Sequence, residues 1–270
     1  MSLITPKYLD CVVAIGEDNN KGEVHWMGTG FLLGYRLPNV QYANDDIYSV
    51  FLVSNKHVLC NQTKIFLRFN PQGGQPAQNY PLQIKNGTTN LCKLHPNDNV
   101  DVAVVNMPQT YFDNLVQNGV RPRFFTYDTD CYNIVDLKKI ETTEGDDIFV
   151  LGYPMGNVGN TRQYVILRGG VIARIHDMLE GFSSDYIIDA PVFPGNSGGP
   201  VIIKPEFTHI EGTKSQNESR LIGLVKSYIP YRDVAISPQT GRPRVVFEEN
   251  TGLTNVEPVD HIIETIIQGL

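Results

Sequence analysis

Pro194-Gly195-Asn196-Ser197-Gly198-Gly199-Pro200 runs straight into the apolar segment Val201-Ile202-Ile203. Three glycines around one serine permit a sharp turn through backbone conformations closed to other residues. The residues that follow are β-branched, so the turn enters a strand and is not a strand–turn–helix nucleophile elbow. A glycine-rich strand entry accounts for the stretch structurally. Its chemical reading is that the turn projects the Ser197 hydroxyl outward and gathers successive backbone N–H groups into one concavity, where they can hold a developing oxyanion.

A serine hydroxyl is a weak nucleophile at neutral pH, so the chemical reading requires a base and a group that orients it. Six histidines are available: His25, His57, His95, His176, His209 and His261. His57 directly follows the apolar run Phe51-Leu52-Val53-Ser54, at the end of a buried strand that would mount it rigidly. Asp101 opens Asp101-Val102-Ala103-Val104-Val105, where a carboxylate can accept from a histidine ring N–H. Taken singly, His57 reads as a structural histidine and Asp101 as a strand-start cap. Their order, His57 then Asp101 then Ser197, changes the weighting, because it is one of the known orders of a Ser-His-Asp triad.

Working outward, short β-branched or aromatic runs bounded by Gly, Pro, Asn and Asp predict strands near Val12–Ile15, Thr29–Tyr35, Tyr48–Ser54, Ile65–Phe69, Val102–Val105 and Ile148–Gly152. Further runs lie at Tyr164–Ile175, Tyr186–Asp189, Pro200–Ile203, Leu221–Val225 and Arg244–Phe247. Many short strands with hardly any helical period predict an all-β antiparallel architecture. Val259, Ile262, Ile263, Ile266 and Ile267 recur at helical spacing, with Pro258 in the first turn, and predict one C-terminal helix. Asn70–Asn79 and Glu211–Ser219 read as surface loops, and Asp113–Asp136 as the connection between two halves.

Composition bounds the function. With 22 Lys+Arg against 29 Asp+Glu in 270 residues, the net charge is −7, and no basic face points to nucleic acid. No apolar run is long enough to span a membrane. The N-terminal residues lack a basic start followed by an apolar stretch, so no secretory signal is expected. Cys11, Cys60, Cys92 and Cys131 could pair in three ways if oxidised; without a signal, four thiols in a reducing cytoplasm is the expectation. No cysteine–histidine spacing suggests zinc, and neither metal nor cofactor is expected.

The chain resembles the trypsin-like (chymotrypsin-fold) serine peptidases, and within them the bacterial HtrA/Deg-like branch without a PDZ domain. The resemblance is carried by Gly28-Thr29-Gly30-Phe31, Ser54-Asn55-Lys56-His57-Val58, Asp101-Val102-Ala103-Val104, Gly152-Tyr153-Pro154 and Asp189-Ala190…Gly195-Asn196-Ser197-Gly198-Gly199-Pro200. It implies two six-stranded antiparallel β-barrels with a C-terminal helix, in one peptidase domain spanning 1–270. The N-terminal barrel (1–125) would carry His57 and Asp101, the C-terminal barrel (126–252) Ser197, and 253–270 the helix. His57 would be the general base, Asp101 its orienter and Ser197 the nucleophile. The N–H groups of Gly195 and Ser197 would form the oxyanion hole.

The position six before the nucleophile is Pro191, followed by Val192 and Phe193, where digestive trypsins carry an aspartate. A neutral specificity pocket is therefore expected, with Asp189 as the other candidate charge. Val225, Lys226 and Ser227 would form the facing wall and pair with an extended substrate. Lys226 is unusual there, and either snorkels out or meets an acidic substrate group. The implied partner is a protein or peptide substrate, and the resemblance allows a regulatory partner protein. An idle scaffold that only captures an extended segment is the alternative.

Overall fold

In the computed structural model, residues 3–19, 22–42, 45–206, 214 and 216–268 are described, with side chains outside 38–46. The first half starts with α1 (Pro6–Asp10) and β1 (Val12–Asp18), followed by β2 (Val24–Tyr42), β3 (Asp45–Ser54) and α2 (Lys56–Leu59). It continues with β4 (Lys64–Phe69), β5 (Gln78–Gln83), the two-residue strands β6 (Lys85–Asn86) and β7 (Thr89–Asn90), β8 (Cys92–Leu94) and β9 (Ala103–Asn106). Its main sheet runs in the order β5-β4-β1-β2-β3-β9-β8, an open half-barrel. In β4 the period of two is visible directly: Ile65, Leu67 and Phe69 are buried, while Lys64, Phe66 and Arg68 are partly exposed.

A connection of α3 (Gln109–Gln117), β10 (Phe125–Thr126), α4 (Tyr127–Asp130) and α5 (Ile134–Lys139) leads to the second half. This comprises β11 (Asp147–Gly152), a short turn at Pro154–Gly156, β12 (Ile166–Arg174), α6 (His176–Glu180), β13 (Tyr186–Asp189) and β14 (Pro200–Ile203). The long strands β15 (Arg220–Ile236) and β16 (Pro243–Pro258) and the helix α7 (Val259–Gln268) follow. The strands close into a barrel in the order β11-β12-β13-β16-β15-β14. Beyond Tyr228, β15 and β16 leave the barrel as a paired arm, from Pro230 opposite Asn250 to Ile236 opposite Pro243. The arm exposes Tyr231, Val234, Ile236, Val245, Val246 and Phe247.

The two halves share a core. One apolar cluster joins Tyr8, Val12, Phe31 and Phe51 of the first half to Phe149, Leu151, Ile202 and Leu224 of the second. Val259, Ile262, Ile263 and Ile266 of α7 belong to the same cluster, so the helix completes the packing between the halves. Each half also has a core of its own, around Leu52 and Leu67 in the first and around Ile188 and Ile222 in the second.

The all-β class, the chymotrypsin-like pair of β units and the C-terminal helix are as expected. Closure differs: only the second unit is a closed six-stranded barrel, and the first stays open. The expected helix over 253–270 begins at Val259, because 253–258 complete β16, and Pro258 precedes the helix rather than sitting inside it. α7 is also not the sole helix, since the segment read as a bare connection contains α4 and parts of α3 and α5. The loop expected over Asn70–Asn79 already enters β5 at Gln78, an edge strand whose Gln, Asn and Pro81 conceal its type. His209 lies outside the described residues, as does part of Glu211–Ser219.

Ile262 is fully buried in the shared cluster. Ile262→Ala is expected to destabilise the chain by about 2–5 kcal/mol. Urea unfolding followed by far-ultraviolet dichroism and by tyrosine fluorescence should show both halves melting in one shifted transition; separate transitions would contradict a shared core.

Candidate active site

Four segments meet at the seam between the halves. β2 brings Thr29, the entry to α2 brings Ser54, Asn55 and His57, the loop before β9 brings Asp101, and the turn before β14 brings Ser197. The strands fix these positions because their apolar residues are buried on both sides of the seam, leaving the polar residues at the strand ends to face it.

Asp101 grips His57 twice. Its Oδ2 lies 2.6 Å from the ring Nδ1, and its Oδ1 accepts the His57 backbone N–H at 3.3 Å. An ionised carboxylate can only accept, so Nδ1 carries the proton and Nε2 is left as the basic nitrogen. The His57 side chain is 52 % exposed and that of Asp101 21 %, which leaves the ring accessible and its orienter shielded. The loop around Asp101 is itself held. Asn55 Nδ2 donates to the Asp101 carbonyl at 2.7 Å, and Lys56 Nζ donates to the Asn97 carbonyl at 3.0 Å.

The turn carrying Ser197 is held from the other half of the molecule. Thr29 Oγ1 donates to the Gly195 carbonyl at 2.6 Å and accepts the Tyr153 N–H at 3.0 Å. The Thr29 N–H donates to the Ser197 carbonyl at 3.0 Å, and its own carbonyl accepts from Ser54 Oγ at 2.7 Å. The Pro194 carbonyl accepts the Met155 N–H at 2.6 Å. With these carbonyls engaged elsewhere, the N–H groups of Gly195 and Ser197 have no acceptor among the described residues. Two donors without an acceptor on the turn that carries the serine are groups that could hold an anion.

Glycine is obligatory at two points of this turn. Gly195 has φ +97° and Gly198 φ +81°, in the left-handed region. A Cβ on Gly195 would collide with the Tyr153 carbonyl, and one on Gly198 with Ser54 Oγ and the Thr29 carbonyl. Met155 reaches the Pro194 carbonyl only by adopting φ +54° itself, a costly conformation for a side chain of its size.

A cleft of about 250 Å³ is lined by both His57 and Ser197. Of the residues expected to form its walls, Val192, Val225, Lys226 and Ser227 are present, joined by Phe193, Pro194 and Tyr228. Pro191 stands outside it, and Asp189 is exposed on β13 away from the lining. Among the described residues no carboxylate lines the cleft.

Lys226 departs from both expectations. Its side chain is only 21 % exposed, and its ammonium is held by groups of the protein. It donates to the Asn99 carbonyl and to Asp185 Oδ2, each at 3.0 Å, and pairs with Glu257 Oε1 at 3.0 Å. All three donors are taken, so none is left for a substrate. Burial works against the charge, but the bonds to Glu257 and Asp185 outweigh it and raise the ammonium above its ordinary range. Cys60 is half-buried rather than fully buried, and the Cys92 thiol hydrogen-bonded to it pulls its titration down. All four cysteines are free thiols.

Thr29, Asp185 and Glu257 were not singled out in the sequence as site residues. Thr29 does carry a signal, a polar residue between two glycines that enter an apolar strand. Glu257 carries none, since a carboxylate next to a proline before a helix reads as a cap.

The sequence model of a family described as "Trypsin-like peptidase domain" matches residues 28–204. No curated protein matches the chain. Among solved structures, the apo MamO protease domain from Magnetospirillum magneticum is similar at 14 % identity over 96 % of each chain, with a TM-score of 0.49.

Thr29→Val keeps the shape and removes the hydroxyl, leaving the buried Gly195 carbonyl and Tyr153 N–H unpaired. The expected loss is about 2–4 kcal/mol in denaturant unfolding, while Thr29→Ser stays within about 1 kcal/mol of the parent. Equal losses in the two variants would contradict the bridging role.

Proposed function

Because the chain belongs to the trypsin-like peptidase domain family, we propose that it is a serine endopeptidase working through His57, Asp101 and Ser197. The observation that carries this reading is the 2.6 Å contact of His57 Nδ1 with Asp101 on the cleft that Ser197 also lines. In this reading His57 Nε2 takes the Ser197 proton as Oγ attacks a peptide carbonyl. The imidazolium so formed is stabilised and oriented by Asp101. The oxyanion of the tetrahedral intermediate sits on the N–H groups of Gly195 and Ser197. His57 then returns the proton to the leaving amine, and water releases the acyl group by the reverse sequence.

A cleft lined by Val192, Phe193, Pro194 and Val225, with its one lysine bonded to Asp185 and Glu257, supports a preference for apolar or small residues before the scissile bond. Val225 has its N–H and carbonyl bonded to Gly199 and Gly198, so in this reading an extended substrate strand pairs with the exposed Ser227 beyond it. We place the chain near the HtrA/Deg-like branch on the motifs around Thr29, His57 and Ser197. Its four free thiols support a reducing compartment, the cytoplasm.

A fluorophosphonate probe is expected to label the protein at Ser197 and to leave Ser197→Ala unlabelled. His57→Ala should lower peptide turnover by about 10⁴-fold or more while leaving substrate binding in place. A folded chain that never labels and cleaves no member of a peptide library would instead identify an idle scaffold that only captures extended segments.

A further inference from the structure

A group of charges that the reaction does not use lies directly behind Asp101. Glu257, the residue before the last of β16, is fully buried. Its Oε1 accepts the backbone N–H of Asp101 at 2.9 Å and pairs with Lys226, while its Oε2 accepts from His261 Nδ1 at 2.6 Å. A buried carboxylate with no such partners would take up a proton. Here the bonds from His261, the Asp101 amide and Lys226 overcome the burial and hold its carboxyl below the ordinary range.

The same elements hold the loop that carries Asp101 at three points along its length. His95, at its start, bonds Glu264 of α7 at 2.8 Å; the Asn99 carbonyl bonds Lys226 of β15; and the Asp101 amide bonds Glu257 of β16. The second half and its terminal helix therefore fix a loop that belongs to the first. No other bond from the second half reaches Asp101 itself among the described residues.

We propose that Glu257, paired with Lys226, is a positioning residue for Asp101, holding its backbone in place and balancing the electric field at the His57–Asp101 pair. This rests on the peptidase reading and adds to it a pair of a buried anion and a half-buried cation that the reaction never touches. One carboxylate on Asp101 orients His57. A second beside it would over-stabilise the imidazolium, and the Lys226 ammonium offsets that second charge. The remaining charged groups packed around the pair are Asp185 on the barrel side, His261, Asp260 and Glu264 on α7, and His95 on the loop. Lys56 and Cys60 flank His57 on α2.

Charge balance predicts shifts of opposite sign, which a merely structural pair would not give. Removing the anion in Glu257→Gln takes one negative charge from beside Asp101 while Lys226 keeps its pair with Asp185, so His57 should protonate at lower pH. Removing the cation in Lys226→Met leaves Glu257 in excess, so His57 should protonate at higher pH. Shifts of about half a pH unit or more in each direction are expected, with the double variant Glu257→Gln/Lys226→Met close to the parent. The measurement is a nuclear magnetic resonance titration of the His57 ring Cε1–H in the full chain, assigned with His57→Gln.

Shifts of the same sign, or none in either single variant, would overturn the proposal. Should a single variant fail to fold, the double variant decides. A folded double titrating like the parent supports the balance, and an unfolded or strongly shifted one overturns it. The titration needs no turnover, so failure of fluorophosphonate labelling would remove the peptidase reading without disturbing this result.

Discussion

Everything at the seam depends on Thr29. This one residue is buried on a strand of the first half, yet four of its hydrogen bonds act on the serine turn, the strand end beside it and the histidine entry. A left-handed glycine turn has little conformational preference of its own. Its carbonyls must be pulled to one side before its N–H groups can face the other. Thr29 and Met155 supply that pull, and the positive φ of Met155 is the strain accepted in return.

The open edge of the first half follows from the same economy. A half-barrel with unclosed strands would leave apolar surface uncovered. Here α7 and the barrel strands β11, β14 and β15 cover it by joining the shared cluster. The site thus sits where an open unit is covered by a closed one, and the residues that hold it come from both. This arrangement also explains why buried charges are tolerated behind Asp101: each is met by a partner from a different segment, so none is left without compensation.

Much of this was legible in the chain itself. Pro194–Pro200 with Val201-Ile202-Ile203, the strand before His57 and the apolar run after Asp101 are local patterns, and local patterns survive in sequence. The strands Tyr186–Asp189 and Pro200–Ile203 have the bounds their β-branched residues predict. The closure of the first unit was not legible, because it depends on which edges pair rather than on any strand's composition. Nor was the pairing of Lys226 with a buried Glu257 legible, since a lysine and a glutamate read as surface residues until the fold brings their charges together. The helix α3 was concealed for a different reason: Tyr111 and Leu115 give it a single buried i, i+4 pair, too short a period to stand out.

The arm formed by the outer parts of β15 and β16 buries almost nothing, and its order comes from its own ladder and a few surface bonds such as Arg232 with Glu248. Both of its faces meet solvent, so neither face fixes the register of the other. Length there is consequently uncoupled from the rest of the molecule. Residues added at the tip in opposed pairs extend the ladder without turning any side chain over, whereas a lone insertion must be absorbed as a bulge. The arm is the place where a family of such chains can vary in length while the seam around Thr29 stays fixed.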